Sequence, residues 1–236
     1  MRRNLIIAAA GGIAVIVLMG VGAYAYFFSG LRTSPSSLGL SASPSASAAA
    51  VSSSLAGTWT VTTGSLAGYR VQELFAGETS KHLAVARTSS VSGGLTVTGD
   101  ANGYQVSSIK LSADLTSLHS VDQVVGRNVT QRDGVVSRQL SVQQFPTATF
   151  IASAASVPGP ITTSQVDVTV AGKLTIHGVT KDVTATAKAQ VIGGKIEIAG
   201  TMTINMTDYG VSPPQVPFTT VDPTATIEFD VFLTRS

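Results

Sequence analysis

The chain has 236 residues, of which 44% are hydrophobic and 12% are charged, and it contains no cysteine. It therefore cannot build a disulfide framework, a thiol nucleophile, a cysteine metal site or a lipid anchor on an N-terminal cysteine. The formal charge of +2 includes Arg2, Arg3 and Arg32, three of the 15 basic residues, so residues 57–236 hold 12 basic side chains against 13 acidic ones. The sequence pI of about 9.0 therefore does not indicate a nucleic-acid partner.

The N-terminal segment is strongly apolar. Residues 5–28 are an uncharged run of 24 residues that follows two arginines. As a helix the run would reach about 36 Å, enough to cross a hydrocarbon core of about 30 Å. We expect a cytoplasmic tip and a single-pass transmembrane anchor over 1–28, with the C-terminal part extracytoplasmic by the positive-inside rule. A secretory signal peptide cleaved after Ala25 is the alternative, and the protein would then be secreted.

A second segment, residues 29–56, is mostly Ser, Ala, Pro, Gly and Leu. Such a composition buries too little apolar surface to offset the entropy of ordering its backbone. We expect a flexible, disordered linker here, followed by one folded domain over 57–236.

The folded domain shows the period of β-strands. In VDVTVAGKLTIH the apolar side chains alternate with polar ones, and the phase reverses after Gly178. A glycine between two runs of opposite phase predicts a hairpin. The inward positions of these runs are Val166, Val168, Val170, Leu174 and Ile176 before the turn, and Val183, Ala185, Ala187, Ala189 and Val191 after it.

The same alternation recurs along the domain. It places Ile196, Ile198, Met202, Ile204 and Met206 on one face of one strand, and Ala225, Ile227, Phe229, Val231 and Leu233 on the inner face of the last. Thr226, Glu228 and Asp230 then point outward. A parity shift between Val106 and Ile109 predicts a bulge, and the non-alternating stretch 120–146 predicts a helical insertion. Together the strands predict an all-β fold, an antiparallel, closed up-and-down barrel of about eight strands with a short helical insertion.

The inner face of the phased strands is aliphatic and uncharged. A stripe of alanines opposite larger side chains leaves a barrel interior either filled or open to one apolar ligand. An interior of this kind suits an acyl or isoprenoid chain, since each buried methylene contributes about 0.8 kcal/mol.

Several short motifs resemble the YceI-like family of exported bacterial lipocalin-like barrels, whose members bind polyisoprenoid or other amphiphilic lipids. Leu174–Lys181 (LTIHGVTK) resembles the family's signature hairpin, and 64–73 is similar to the variant of actinobacterial members, which often carry a membrane anchor. The further matches, in the family's order, are Trp59 with Ser65, Arg132-Asp133, Phe145-Pro146 through Phe150, and Asp208-Tyr209-Gly210-Val211. Many relatives have a His-Leu pair after the Arg-Asp pair, where this chain has Gly134-Val135-Val136.

Ligand-contacting residues follow from the inward phase and from the resemblance. Arg132 could meet a lipid headgroup or, with Asp133, simply form ion pairs that hold the helix, and core packing is the alternative role for each aromatic residue. The expected ligand-binding residues are Trp59, Phe145, Phe150, Leu174, Ile176, Ala185, Ala187, Ala189, Ile198, Met202, Ile204, Phe229 and Arg132.

Catalysis and metal binding find little support in the sequence. His177 lies beside a turn glycine on the outward parity, so we expect it to have a structural role such as a turn hydrogen bond. His82 and His119 form no metal spacing with it. The chain has no G-x-S-x-G motif for a hydrolase, and we expect neither an enzymatic activity nor a cofactor.

The sequence therefore favours a tethered, extracytoplasmic lipid-binding protein that sequesters or shuttles an isoprenoid or fatty-chain amphiphile. Its partners would be that lipid and, through the N-terminal helix, the membrane. A non-enzymatic cell-surface or stress-related module with a packed barrel is the alternative function.

Overall fold

The computed structural model describes residues 14–24, 32–42, 55–100, 102–158 and 165–236. Residues 14–24 form helix α1. Within these ranges no helix has the length and apolar character needed to cross a membrane. Most of the predicted anchor and parts of the predicted linker lie outside the described residues.

Fourteen strands, helix α2 (Gln131–Gln139) and a short 3-10 helix (Met206–Tyr209) follow α1. The strands are β1 Arg32–Thr33, β2 Gly57–Val61, β3 Leu66–Phe75, β4 His82–Thr88, β5 Val91–Asp100, β6 Gly103–Asp114, β7 His119–Ser120, β8 Gln123–Val124, β9 Thr147–Pro158, β10 Gln165–Ile176, β11 Val179–Ile192, β12 Lys195–Asn205, β13 Gln215–Val216 and β14 Thr219–Arg235.

The strands form a closed antiparallel barrel of eight strands, as predicted. Two of the eight are interrupted: β2 and β3 together pair along β14, and β4 and β5 together pair along β3 and β2. The remaining six follow in chain order, and β14 closes the ring because it also pairs with β12. The helical insertion lies where it was predicted, between β6 and β9.

Two local predictions are confirmed by backbone geometry. His177 and Gly178 link β10 to β11 in a two-residue turn in which both have positive φ, 53° and 74°. A type I′ hairpin turn requires this conformation. The bulge lies in β6, where the register with β5 shifts and Ser108 has a φ of 52°.

Residues 32–42, called the strap below, lie across the outside of the barrel. The strap begins with β1, which pairs with β8. Farther along, Ser34 Oγ donates a hydrogen bond to the Leu83 carbonyl at 2.5 Å, and the Ser41 amide donates to Glu197 Oε1 at 2.7 Å. The predicted disordered linker over 29–56 is therefore wrong for 32–42, because buried polar groups of the barrel bind this segment through its backbone.

The strap explains why acidic residues on outward positions are buried. Glu228, on β14, has no exposed surface. Its carboxylate accepts hydrogen bonds from Arg70 Nε and Arg87 Nε, each at 2.9 Å, and from the Leu38 amide at 3.1 Å. The same two arginines donate to the carbonyls of Pro35 and Ser36. Outward parity correctly gave the direction of the Glu228 side chain, and the strap covers it on that outer face.

A third outward acid, Asp230, lies beside this network. It is 9% exposed, and its Oδ1 has no hydrogen-bond partner among the described residues. Burial, reinforced by the negative charge of Glu197, raises the pKa of the Asp230 carboxyl to about 7. Glu197 itself is satisfied by Ser41 and by Gln190 Nε2 at 2.6 Å.

Candidate ligand cavity

One end of the barrel encloses a cavity of about 160 Å³. It lies where β6, β10 and β12 end, beneath helix α2 and the loop that follows the 3-10 helix. Its walls are mostly aliphatic side chains from strands on several sides of the barrel. The strand residues of the lining are Ala67, Gly68, Tyr69, Val71, Glu73, Thr88, Ala113, Ala148, Leu174, Ile176, Ile204, Val221, Ala225 and Ile227.

Helix α2 covers this end of the barrel. Val135, Val136 and Gln139 of the helix and Leu140 at its C-terminal cap line the cavity. The helix is anchored at its first turn, since Asp133 Oδ1 accepts hydrogen bonds from the Ser120 amide at 2.9 Å and from Ser120 Oγ at 2.6 Å. Helix α2 is therefore fixed to the barrel at its first turn where it covers the cavity.

A charged cluster lies at the edge of the cavity. Arg132 donates from Nη2 to Glu73 Oε1 at 2.5 Å and from Nη1 to Asp122 Oδ1 at 2.7 Å. His82 Nε2 lies 2.7 Å from Asp122 Oδ2. Burial, the largest influence, raises the pKa of the Asp122 carboxyl, but hydrogen bonds from His82, Arg132 and the Val85 amide outweigh it and lower the pKa to about 2. Asp122 is therefore ionised at neutral pH, and it pairs with Arg132.

The same cluster contains atoms that could bind a metal ion. The side-chain ligand atoms of Glu73, His82 and Asp122 lie within 4.8 Å of one another, and all three residues are buried. Arg132, however, donates to both carboxylates, and its positive charge offsets theirs. The arrangement is a buried ion-pair network that fixes α2 to the barrel. It agrees with the alternative role considered for Arg132, in which its ion pairs hold the helix in place. The expectation of an uncharged interior is wrong at this edge, where Glu73 and Arg132 contribute to the lining.

Two tyrosines also line the cavity. Burial raises the pKa of Tyr69, although Arg132 opposes the shift. Burial, and then the charge of Asp208, raises the pKa of Tyr209. Tyr209 Oη is buried and has no hydrogen-bond partner in the described part of the chain. Both phenols are therefore un-ionised at neutral pH.

The structure brings four of the thirteen predicted ligand residues to the cavity: Leu174, Ile176, Ile204 and Arg132. The other nine lie elsewhere. Trp59, Phe150, Ala185 and Met202 belong to the packed core, and Ile198 and Phe229 pack against it. Ala187 and Ala189 are half-buried on the inward positions of β11. Phe145 lies outside the barrel wall, against the Gly178 turn.

Height along the barrel explains two of these placements. Alternation gives the face of a strand on which a side chain lies, but it does not give the height of that side chain along the barrel. Trp59 is on the correct face but at the opposite end, where it pairs with Arg235 of β14. Ala189 faces Ile198, whose partner on β14 is Val231, again far from the helix-covered end. Both positions therefore lie on the inner face but away from the cavity beneath α2.

His177 has the structural role that the sequence predicted. Its Nδ1 lies 3.1 Å from the Tyr209 carbonyl and its Nε2 lies 3.2 Å from Ser141 Oγ. The ring also meets Phe145 edge to face, with centroids 5.3 Å apart. His177 thus joins the β10–β11 turn to the helical insertion and to the loop after β12.

Sequence reasoning missed the cavity residues of α2 and β3. The insertion 120–146 was recognised as helical, yet its apolar pairs Val135-Val136 and Leu140 were not assigned to a face. Residues 66–75 were not phased either, because Gly68 interrupts the run. The signal that could have found them is the apolar i, i+4 pair Val136 and Leu140, which marks one side of the helix.

Solved structures with a similar fold share little sequence with this chain. The crystal structure of Burkholderia cenocepacia BcnA is 18% identical and covers 70% of this chain and 95% of that one, with a TM-score of 0.45. A polyisoprenoid binding domain from Saccharophagus degradans, implicated in plant cell wall breakdown, is 18% identical and covers 77% and 99%, with a TM-score of 0.48. The YceI protein of Campylobacter jejuni is 16% identical and covers 67% and 91%, with a TM-score of 0.44.

The match to a family model is broader. No curated protein matches the chain. The model of the YceI-like domain, however, matches residues 45–233, which is most of the chain and nearly all of the barrel. This chain belongs to the YceI-like family.

Proposed function

We propose that this protein binds the apolar part of an amphiphilic lipid, such as an isoprenoid or a fatty chain, and sequesters or shuttles it. The observation that carries the proposal is the cavity beneath α2, whose walls are mostly aliphatic. Transfer of a chain from water to such walls is favourable by about 0.8 kcal/mol per methylene. The resemblance of Leu174–Lys181 to the signature of lipid-binding relatives supports the same class of ligand. We propose no enzymatic activity.

The volume of the cavity limits what it holds without rearrangement. A cavity of about 160 Å³ is close in size to an engineered apolar cavity of about 150 Å³ that admits benzene. It has room for one isoprene-sized group or for the end of a fatty chain. A longer chain requires α2 to move outward, and the ion pairs of Arg132 then have to break or shift.

We further propose that the chain is the membrane-anchored type seen in actinobacteria, held by residues 5–28 with the barrel outside the cytoplasm. The apolar run after Arg2 and Arg3 supports this location. Cleavage after Ala25 would instead release the barrel as a secreted protein.

The alternative is a packed barrel that acts through contacts with other proteins as a cell-surface or stress-related module. The packed cluster around Trp59 and Leu95 favours it. The two functions differ in whether the space beneath α2 takes up lipid.

The test is native mass spectrometry of the full chain purified from membranes, followed by solvent extraction and identification of any bound lipid. Ala148→Phe places an aromatic ring on the cavity wall, and Ala187→Phe places the same ring on an inward position outside it. We expect bound lipid in the parent chain and in the Ala187 variant, and its loss in the Ala148 variant. Thermal unfolding of both variants shows whether the barrel is still folded.

The absence of lipid from the folded parent chain, also after incubation with a short isoprenoid alcohol, would overturn lipid binding and favour the packed-barrel function. Equal lipid content in both phenylalanine variants would show that lipid binds outside the cavity beneath α2.

A further inference from the structure

Exposed apolar side chains gather at the cavity end of the barrel. Within the described barrel and its loops, the exposed large hydrophobic residues are Phe218, Val125, Ile151 and Val216, with 64%, 63%, 51% and 37% of their surface accessible. Val216 and Phe218 lie in the β13–β14 hairpin, and Val125 directly follows β8. Ile151, in contrast, lies on the side of the barrel, in β9.

The hairpin and the segment after β8 flank the same turn, residues 76–81 between β3 and β4. The Ala76 amide donates to the Phe218 carbonyl at 3.0 Å. From the other side, the Arg127 guanidinium lies 4.0 Å over the Phe75 ring, and it donates to Glu78 at 3.3 Å.

The cavity lies directly behind this turn. Glu73, two residues before Phe75, lines the cavity. Val221 also lines it, and its amide donates a hydrogen bond to the Pro214 carbonyl at the base of the β13–β14 hairpin. Val125, Val216 and Phe218 therefore form an apolar rim at the cavity end, called the rim below.

The chain that precedes the strap arrives at this same end. Arg32 forms an ion pair with Glu78 and donates to the Ser80 carbonyl at 3.3 Å, both in the turn behind the rim. Only residues 25–31 separate helix α1 from Arg32. Seven residues reach at most about 25 Å even when fully extended. The connection thus limits the distance between the end of α1 and the cavity end of the barrel.

We propose that the rim docks on the surface of a lipid bilayer, so that the cavity end of the barrel faces the membrane. This proposal rests on the proposed function, in which residues 5–28 lie in the bilayer. A short connection that ends beside an exposed apolar rim brings the rim to the membrane interface, where its side chains leave water at a gain of about 25 cal/mol per Å².

The charges around the rim indicate an apolar rather than an electrostatic contact. Glu78 pairs with both Arg32 and Arg127, and Lys81 pairs with Asp222 at 2.7 Å. With the adjacent cluster of Arg132, Glu73 and Asp122 included, the four cations of these ion pairs face four carboxylates. Docking is therefore expected on neutral phosphatidylcholine as well as on anionic lipid. A lipid could pass between the bilayer and the cavity without crossing bulk water.

The chain has no cysteine, so single cysteines can be labelled without removing any native residue. The full chain is reconstituted into phosphatidylcholine vesicles that contain a lipid with a nitroxide in its acyl chain. An environment-sensitive fluorophore is attached at Phe218→Cys, Val125→Cys, Ile151→Cys or Leu18→Cys. Leu18 lies in α1 and reports on the anchor, whereas Ile151 is the matched control for an exposed apolar residue away from the rim.

We expect the nitroxide lipid to quench the labels at positions 18, 125 and 218 and to leave the label at 151 unquenched. Phe218→Ser combined with the Val125 label should lose most of the quenching at that label. If the labels at positions 125 and 218 are as little quenched as the label at 151 while the label at 18 is quenched, rim docking is refuted. The membrane anchor is then still supported. An unquenched label at position 18 refutes the membrane anchor itself, and with it the docking. The lipid content measured by mass spectrometry decides separately whether the cavity binds lipid.

Discussion

Replacement of Glu228 by glutamine tests whether the strap is part of the folded barrel. The carboxylate is completely buried, and it accepts hydrogen bonds from two arginines and from the Leu38 amide. Glu228→Gln keeps the shape of the side chain but removes its charge, so Arg70 and Arg87 are left buried against a neutral amide. Loss of one partner of a buried ion pair costs about 3–5 kcal/mol. We expect the free energy of unfolding to fall by that amount.

The assay is equilibrium urea unfolding, followed by the fluorescence of Trp59, the one tryptophan in the chain. Trp59 is 4% exposed, so its emission reports the opening of the core. The matched control is Asp182→Asn, which removes an equally close but exposed ion pair with Lys173 and should cost no more than about 1 kcal/mol. If the two variants lost the same stability, the buried network would not hold the strap, and the placement of residues 32–42 against the barrel would be wrong.

Three further substitutions have defined outcomes. Gly178→Ala should lower the free energy of unfolding by about 1–3 kcal/mol, because a Cβ there would lie 2.6 Å from the Phe145 ring and overpacking has this cost. The control is Gly193→Ala, since Gly193 also has positive φ but nothing within 4 Å of the added Cβ. In thermal unfolding the control should lose less stability. The pKa of Asp230 in the folded protein is raised from 3.8 to about 7. The folded protein therefore holds one more proton than the unfolded chain between these values, and its stability falls as pH rises from about 4 to 7. Asp230→Asn should flatten this fall in urea unfolding, and an unchanged pH profile would contradict the raised pKa of Asp230. Tyr209→Phe removes a buried, unpartnered hydroxyl and should leave the melting temperature unchanged or raised, whereas a clear fall would mean that the hydroxyl has a partner.

The fold could be read from the sequence because the strands are long and regularly patterned. The phase reversal across Gly178, the parity shift near Ser108 and the missing alternation over 120–146 each correspond to a distinct backbone feature: a turn, a bulge and a helical insertion. Each feature is local, so neighbouring residues carry the information needed to predict it.

The cavity could be predicted only in part, because its position depends on contacts between distant segments. Leu174 and Ile204 line the cavity because their strands end beneath α2. Ala189 has the same inward phase but lies farther from α2, and nothing within its own strand distinguishes the two heights.

The strap was missed for a related reason. Its composition is that of a linker, and its contacts come from backbone groups, two serine hydroxyls and Arg32 rather than from apolar side chains. The acids on outward positions, Glu197 and Glu228, were the available signal, because an unpaired acid in a β-rich wall requires a donor. Two neighbouring arginines on β3 and β4 would have pointed to the same place.

The pairing of β14 also has a consequence for how the chain folds. This strand is the last of the barrel strands in chain order. One edge of β12 and one edge of the β2–β3 pair form their hydrogen bonds only with β14. Until it is synthesised, two sheet edges at opposite sides of the nascent sheet have unpaired amides and carbonyls, the condition in which strands add to other chains. Ring closure then joins residues as far apart in the chain as Trp59 and Arg235, which predicts a slow final folding step and an interval before it in which the sheet edges are exposed.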